Sequence, residues 1–262
     1  VHPLRSNAPD PAIREPDALL EAFIQQWISE HAATRDADTL VYMIPTVFHV
    51  VHMDGEECIS NAQIADAMEV LNRDFRKLNA DVAEVCCGFQ DIAADVRVEF
   101  RLATVDPLGF CTNGIDRIRS VETFVGDNGS KLAVWPRDKY LNIWTMAKME
   151  GGVAGYSQYP GSVDGNLAPA DGVIILHDYI GRTGTGTEGR SRALTHEIGH
   201  WLDLKHVWGD NNGVDGAPQG HMSPVCGDDA VEDTPLTRGW STCPTPAQST
   251  DCDDAVAENF EN

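Results

Sequence analysis

Two periods of hydrophobicity run along the 262 residues, one helical and one extended, and together they divide the chain. Near the start, Leu20, Phe23, Ile24, Trp27 and Ile28 recur at helical spacing behind Asp17, a residue suited to capping. This predicts a short amphipathic helix within an N-terminal arm of residues 1–39. The run from Val41 to His52 (VYMIPTVFHVVH) is β-branched and aromatic without alternation, the pattern of a strand buried on both faces inside a sheet. Ser60 followed by Gln63 has the form of a capping box. Ile64, Met68, Leu71, Phe75 and Leu78 then mark one face of a long helix that packs on that sheet.

From Val96 to Val105 the chain alternates, with Val96, Val98, Phe100 and Leu102 on one face and Arg97, Glu99 and Arg101 on the other. KYLNIWTM (Lys139 to Met146) and GVIILHDYI (Gly172 to Ile180) supply two further strands. Between them GGVAGYSQYP (Gly151 to Pro160), rich in glycine and closed by proline, suits the edge of a sheet, where backbone donors and acceptors stay free. A glycine and threonine loop over 181–189 leads into another helix, and beyond Trp208 the periodicity fades into Gly, Asp, Asn and Pro. The expected fold class is α/β (α+β), with residues 40–202 holding the sheet and helices and 203–262 an irregular C-terminal subdomain.

With 42% apolar residues the chain can bury a sizeable core, as one large domain or two lobes sharing a cleft. It has no apolar run long enough to span a membrane, and its first residues lack the features of a signal peptide. A formal charge of -22 disfavours nucleic acid and anionic lipid as partners, while an acidic surface keeps the chain soluble and attracts cations or basic substrates. Seven cysteines without a CxxC pair point to disulfides in an oxidising compartment, hence to export. Their odd number leaves one thiol free, bonded to another chain, or with a partner outside these residues.

The chemistry is concentrated in THEIGHWLDLKHVWGD (195–210). His196 and His200, four residues apart, would stand about 40° apart on a helix and one turn above each other, so that both can bind one metal ion. Glu197 points about 100° away from His196, within reach of a water beside the metal yet outside its ligand set. His206, six residues on, would lie about 240° round an unbroken helix, so the helix has to end first. If the chain reverses near Asp203, His206 returns as a third nitrogen ligand and one zinc position stays open for water.

HEIGHWLDLKH resembles the extended metzincin motif HExxHxxGxxH, with Asp203 where that family has glycine; aspartate is among the few residues that also enter the left-handed region such a turn needs. The resemblance narrows to the pappalysin family and its ulilysin-like members through IPTVFHVVH, ISNAQIADAMEVLNRDFRKLNAD, WPRDKYLNIW, GGVAGYSQYP and HEIGHWLDLKHVWGD, in that order. It implies a metzincin-like zincin with a mixed twisted sheet, a backing helix and an active-site helix above the irregular C-terminal subdomain. It further implies a secreted, zinc-dependent endopeptidase acting on proteins or peptides. By the same resemblance one zinc ion would be held by His196, His200 and His206, and metal-activated water would attack the peptide with Glu197 as general base. The resemblance also implies that substrate would lie extended along the edge strand at Gly152, Val153, Ala154, Gly155 and Tyr156, with a preference for basic residues.

CGDDAVEDTP (Cys226 to Pro235) offers the hard oxygens calcium prefers in Asp228, Asp229, Glu232, Asp233 and Thr234. The resemblance assigns a structural calcium ion to Asp229 and Thr234; without it the segment reads as a solvated acidic loop. It also implies a Cys226–Cys252 disulfide, and for Cys243 a partner beyond Asn262. Cys86 and Cys87, being adjacent, are poor partners for each other. The family's methionine turn and its tyrosine would fall beyond ENFEN, where the chain ends, since the surroundings of Met222 (GHMSP) do not resemble that turn. His49, His52, His177 and His221 read as strand or loop residues. The alternative to an enzyme is an inactive extracellular module that binds zinc and calcium.

Overall fold

The fold is described from a computed structural model, for residues 18–31, 40–85, 92–209, 226–231, 233, 234 and 236. Six strands form one sheet: β1 (Tyr42–His52), β2 (Val98–Leu102), β3 (Ile115–Arg119), β4 (Leu141–Met146), β5 (Gly155–Tyr156) and β6 (Val173–Leu176). The order is β2-β1-β4-β6-β5, with β3 also paired to β1, and every pairing is parallel except that of β5 with β6. One antiparallel strand makes the sheet mixed and leaves β5 at its rim.

β1 lies inside the sheet because it is the one strand long enough to pair with β2 through its first residues and β3 through its last. From Thr46 to His52 it is buried on both faces, but Tyr42, Met43 and Pro45 are exposed. The expectation of burial along the whole run therefore fails at its start, and the register shows why: β4 joins β1 only from Thr46 onward. β4 itself is buried at all six positions.

The backing helix α2 spans Asn61–Phe75, after α1 at Ala18–His31. Ser60 caps α2 by accepting the Gln63 backbone N–H at 3.1 Å. The Gln63 side chain does not return to complete a capping box. It donates instead to the carbonyls of His177 and Ile180, tying α2 to the loop beyond β6. Ile64, Ala67, Met68, Leu71 and Phe75 join Phe48, Phe100, Ile143 and Ile175 in the main core. Asn72 fixes α2 on β2, donating to the Phe100 carbonyl and accepting its N–H.

Leu78, expected on the same helix face, lies outside α2 and is 66% exposed, because Lys77 turns left-handed at φ 51°. Val96, expected at the start of β2, is likewise exposed; Arg97 adopts φ 58° and the strand begins at Val98. The segment beyond Gly172 leaves the strand at Leu176 and continues as a 3₁₀ turn over His177–Tyr179. On α1, Phe23 and Trp27 are exposed, and Asp17 lies outside the described residues. β3 had no clear signature, its IDRIR sequence being more polar than apolar.

The chain divides into two compact units, residues 12–76 with 95–203, and residues 1–11 and 77–94 with 204–262. The first contains the sheet and helices. Among the described residues no helix is long and apolar enough to cross a membrane. Leu71, 1% exposed at the centre of the main core, should cost about 2–5 kcal/mol when changed to alanine. Urea unfolding of Leu71→Ala against the parent chain measures this.

Candidate active site

Helix α3 (Ala193–Trp201) carries the first two histidines and the glutamate between them. Leu194 and Ile198 root it in the main core, Thr195 donates to Asp74 of α2 at 2.8 Å, and the opposite face carries His196 and His200. The Nε2 atoms of these two rings lie 3.1 Å apart, with ring centres at 4.6 Å and planes nearly perpendicular at 84°, as two residues one helical turn apart can place them. Desolvation, and then the neighbouring His200, push the His196 pKa down to about 3, so its imidazole is a neutral base with a lone pair to offer. Glu197 is buried beside them.

α3 ends as the six-residue spacing to His206 requires. The Leu202 N–H is shared between the Ile198 and Gly199 carbonyls, Asp203 N–H donates to His200 O at 2.9 Å, and Asp203 takes φ 74°. This is the left-handed position just past a helix, usually filled by glycine. Ligand nitrogens of His196, His200 and His206 all lie within 4.8 Å of one another, and these residues are the group of three potential metal ligands found among the described residues.

Several supporting residues carried no signal in the sequence. Ser157, just after β5, donates to the Glu197 carbonyl at 2.6 Å. Tyr159 meets the His200 ring edge-on at 5.6 Å. Trp201 Nε1 donates to Asp171 at 2.8 Å, while burial pushes the Asp171 carboxyl above the usual range. These contacts join residues far apart in sequence, so no local spacing announces them.

Of the edge-strand residues, Gly155 and Tyr156 pair with Ile175 and Ile174 of β6, and Ala154 extends the pairing by accepting the Leu176 N–H at 2.8 Å. The strand is shorter than expected. Val153 precedes it, and Gly152 belongs to a 3₁₀ turn with φ 73°. Gly155 leaves room for β6, since a Cβ there would stand 2.9 Å from the Ile174 carbonyl.

In the acidic segment, Asp229 and Thr234 come together: the Thr234 hydroxyl donates to the Asp229 carboxylate at 3.3 Å. Asp229 also accepts the Val231 N–H. Burial foremost, along with Asp233 and Asp228, holds its pKa above the usual carboxylate range. Cys226 is disulfide-bonded, while Cys58 and Cys111 are free thiols. Cys86, Cys87, Cys243, Cys252, His221 and Met222 lie outside the described residues. His49 is fully buried, bonded to Asn142 at 2.9 Å and stacked on Trp144; His52 accepts the Asp54 N–H, and His177 pairs with Thr185.

The profile of the peptidase M43 family, described as pregnancy-associated plasma protein-A, matches residues 126–262. The chain belongs to this pappalysin family of metallopeptidases. Mature mirolysin of Tannerella forsythia, solved in complex with a cleaved peptide, superimposes with a TM-score of 0.70 at 33% identity, over 85% of this chain and 82% of that one. A promirolysin mutant of the same organism gives 0.72 at 30% identity, over 94% and 80%. An extracellular metalloprotease of Pyricularia oryzae is 29% identical over 92% of this chain and 73% of its own length. Another, of Arthroderma benhamiae, is 25% identical over 86% of this chain and 65% of its own length. The chain thus spans a little under two thirds of that second relative.

As a pappalysin the chain is a metalloprotease with the mixed α/β fold of mirolysin, and zinc is the metal that the family implies. The residues fit it: imidazole nitrogens are good zinc ligands, and two Nε2 atoms 3.1 Å apart suit a shared cation. Asp203→Gly should retain zinc, because glycine enters the left-handed region freely. Asp203→Val should lose about 1 kcal/mol or more of stability and bind zinc more weakly. Metal content after dialysis against a graded chelator, together with thermal unfolding, distinguishes the two variants.

Proposed function

We propose that this pappalysin is a secreted zinc-dependent endopeptidase in which His196, His200 and His206 hold one zinc ion and Glu197 is the general base. The approach of three imidazole nitrogens beside a buried glutamate carries the proposal. Zinc, when bound, supplies a Lewis acid that acidifies water and polarises a carbonyl. Glu197 takes the proton from the attacking water and passes it to the leaving nitrogen. β5, last in the strand order, and the residues that lead into it receive an extended peptide along Gly152, Val153, Ala154, Gly155 and Tyr156, so backbone hydrogen bonds bind substrate with little demand on sequence. The charge of -22 favours basic segments of substrate, and the extracellular relatives and Cys226 disulfide support export.

The remaining assignments follow the same reading. Residues 1–39 form an arm, 40–202 the zincin subdomain and 203–262 the C-terminal subdomain. Asp229 and Thr234 bind a structural calcium ion, and Cys226 bonds to Cys252.

Hydrolysis of unfolded casein tests the proposal. Chelator should abolish it and zinc restore it, and Glu197→Gln should lower kcat by about 10²-fold or more with zinc still bound. Zinc-loaded protein that never cleaves would favour an inactive binding module. For the second ion, calcium should raise the Tm of the parent chain and leave that of Asp229→Ala unmoved; an equal response in both would remove calcium from this loop.

A further inference from the structure

Lysine is almost never fully buried without compensation, yet Lys131 is 5% exposed. Its Nζ donates to the carbonyls of Ala170 and Gly172 and stands 5.1 Å from the centre of the Tyr156 ring and 5.6 Å from that of Trp144. Burial brings its pKa down to about 7, against the pull of the Asp171 and Glu197 carboxylates. Either protonation state keeps at least two N–H donors, so both hydrogen bonds persist.

These contacts converge on the rim of the sheet. Residues 170–172 lead directly into β6, and Gly172 bends there with φ 112° so closely that a Cβ would stand 2.4 Å from the Asn142 carbonyl. Tyr156 is the second of only two residues in β5, and its hydroxyl donates to Asn128 at 3.1 Å. Residues 128–131 therefore hold the Tyr156 side chain at its hydroxyl and across its ring. A two-residue ladder specifies register weakly and needs such outside anchors. The next residue, Ser157, makes the hydrogen bond to the Glu197 carbonyl.

We propose that Lys131 is a positioning residue that clamps β5 to the start of β6 and so keeps Ser157 on the backbone of Glu197, holding bound peptide in register with the general base. This rests on the peptidase reading, with β5 as the substrate strand.

The zinc-loaded full chain carrying Lys131→Met, which keeps the side-chain length and removes the donors, is the test. Expected is a fall in kcat/KM of about tenfold or more with zinc content unchanged, since small misplacements cost heavily at a reacting centre. Amide exchange at residues 155–157 should quicken about tenfold while buried α2 amides keep their rates. Ser157→Ala should lower kcat and leave KM unchanged, because it frees Glu197 without loosening β5. Parental kcat/KM in Lys131→Met, unchanged exchange at 155–157, or exchange that rises equally in α2 would each overturn the proposal. A parent chain without peptidase activity would instead count against the peptidase reading, and exchange alone would then decide the role of Lys131.

Discussion

The reversal at Asp203 is the constraint on which the site depends. A helix presents residues four apart on one side and residues six apart on nearly opposite sides. Three histidines spaced four and six apart can therefore share an ion only if the helix stops between the second and third. Here it stops at Trp201, with the left-handed residue two positions later. Everything beneath α3 serves to hold that helix end in place: Leu194 and Ile198 in the core, Thr195 on Asp74, Trp201 on Asp171.

What could be read from the sequence follows from how local each cause is. The spacing of His196 and His200 on one helix, the cap at Ser60, the apolar face of α2 and the buried half of β1 are set by neighbours within a few residues, and each stands where its pattern places it. Position 203 was legible for the same reason, since the spacing demanded a turn and aspartate tolerates one. The errors fall at element ends. Leu78 and Val96 continue an apolar pattern, but left-handed Lys77 and Arg97 cut the helix and delay the strand, and neither residue type announces such a conformation.

The second group of misses is non-local. β3 is a strand because β1 is long enough to receive it, a condition invisible in IDRIR itself. Ser157, Asp171 and Lys131 come near the site only after β5, β6 and α3 have packed, and a lysine in a polar-looking stretch reads by default as solvated surface. The edge strand shows both effects. Its glycine pattern was visible, but a 3₁₀ turn over Glu150–Gly152 precedes it and only Gly155 and Tyr156 pair with β6.

The central claim is that a chain reversed at residue 203 brings three imidazoles to one cation. Zinc-edge X-ray absorption of the loaded protein measures this directly. Three imidazole nitrogens at about 2.0–2.1 Å with a further light-atom ligand are expected, falling to two imidazoles in His206→Ala. Two imidazoles in the parent chain, or a spectrum unchanged by loss of His206, would contradict it.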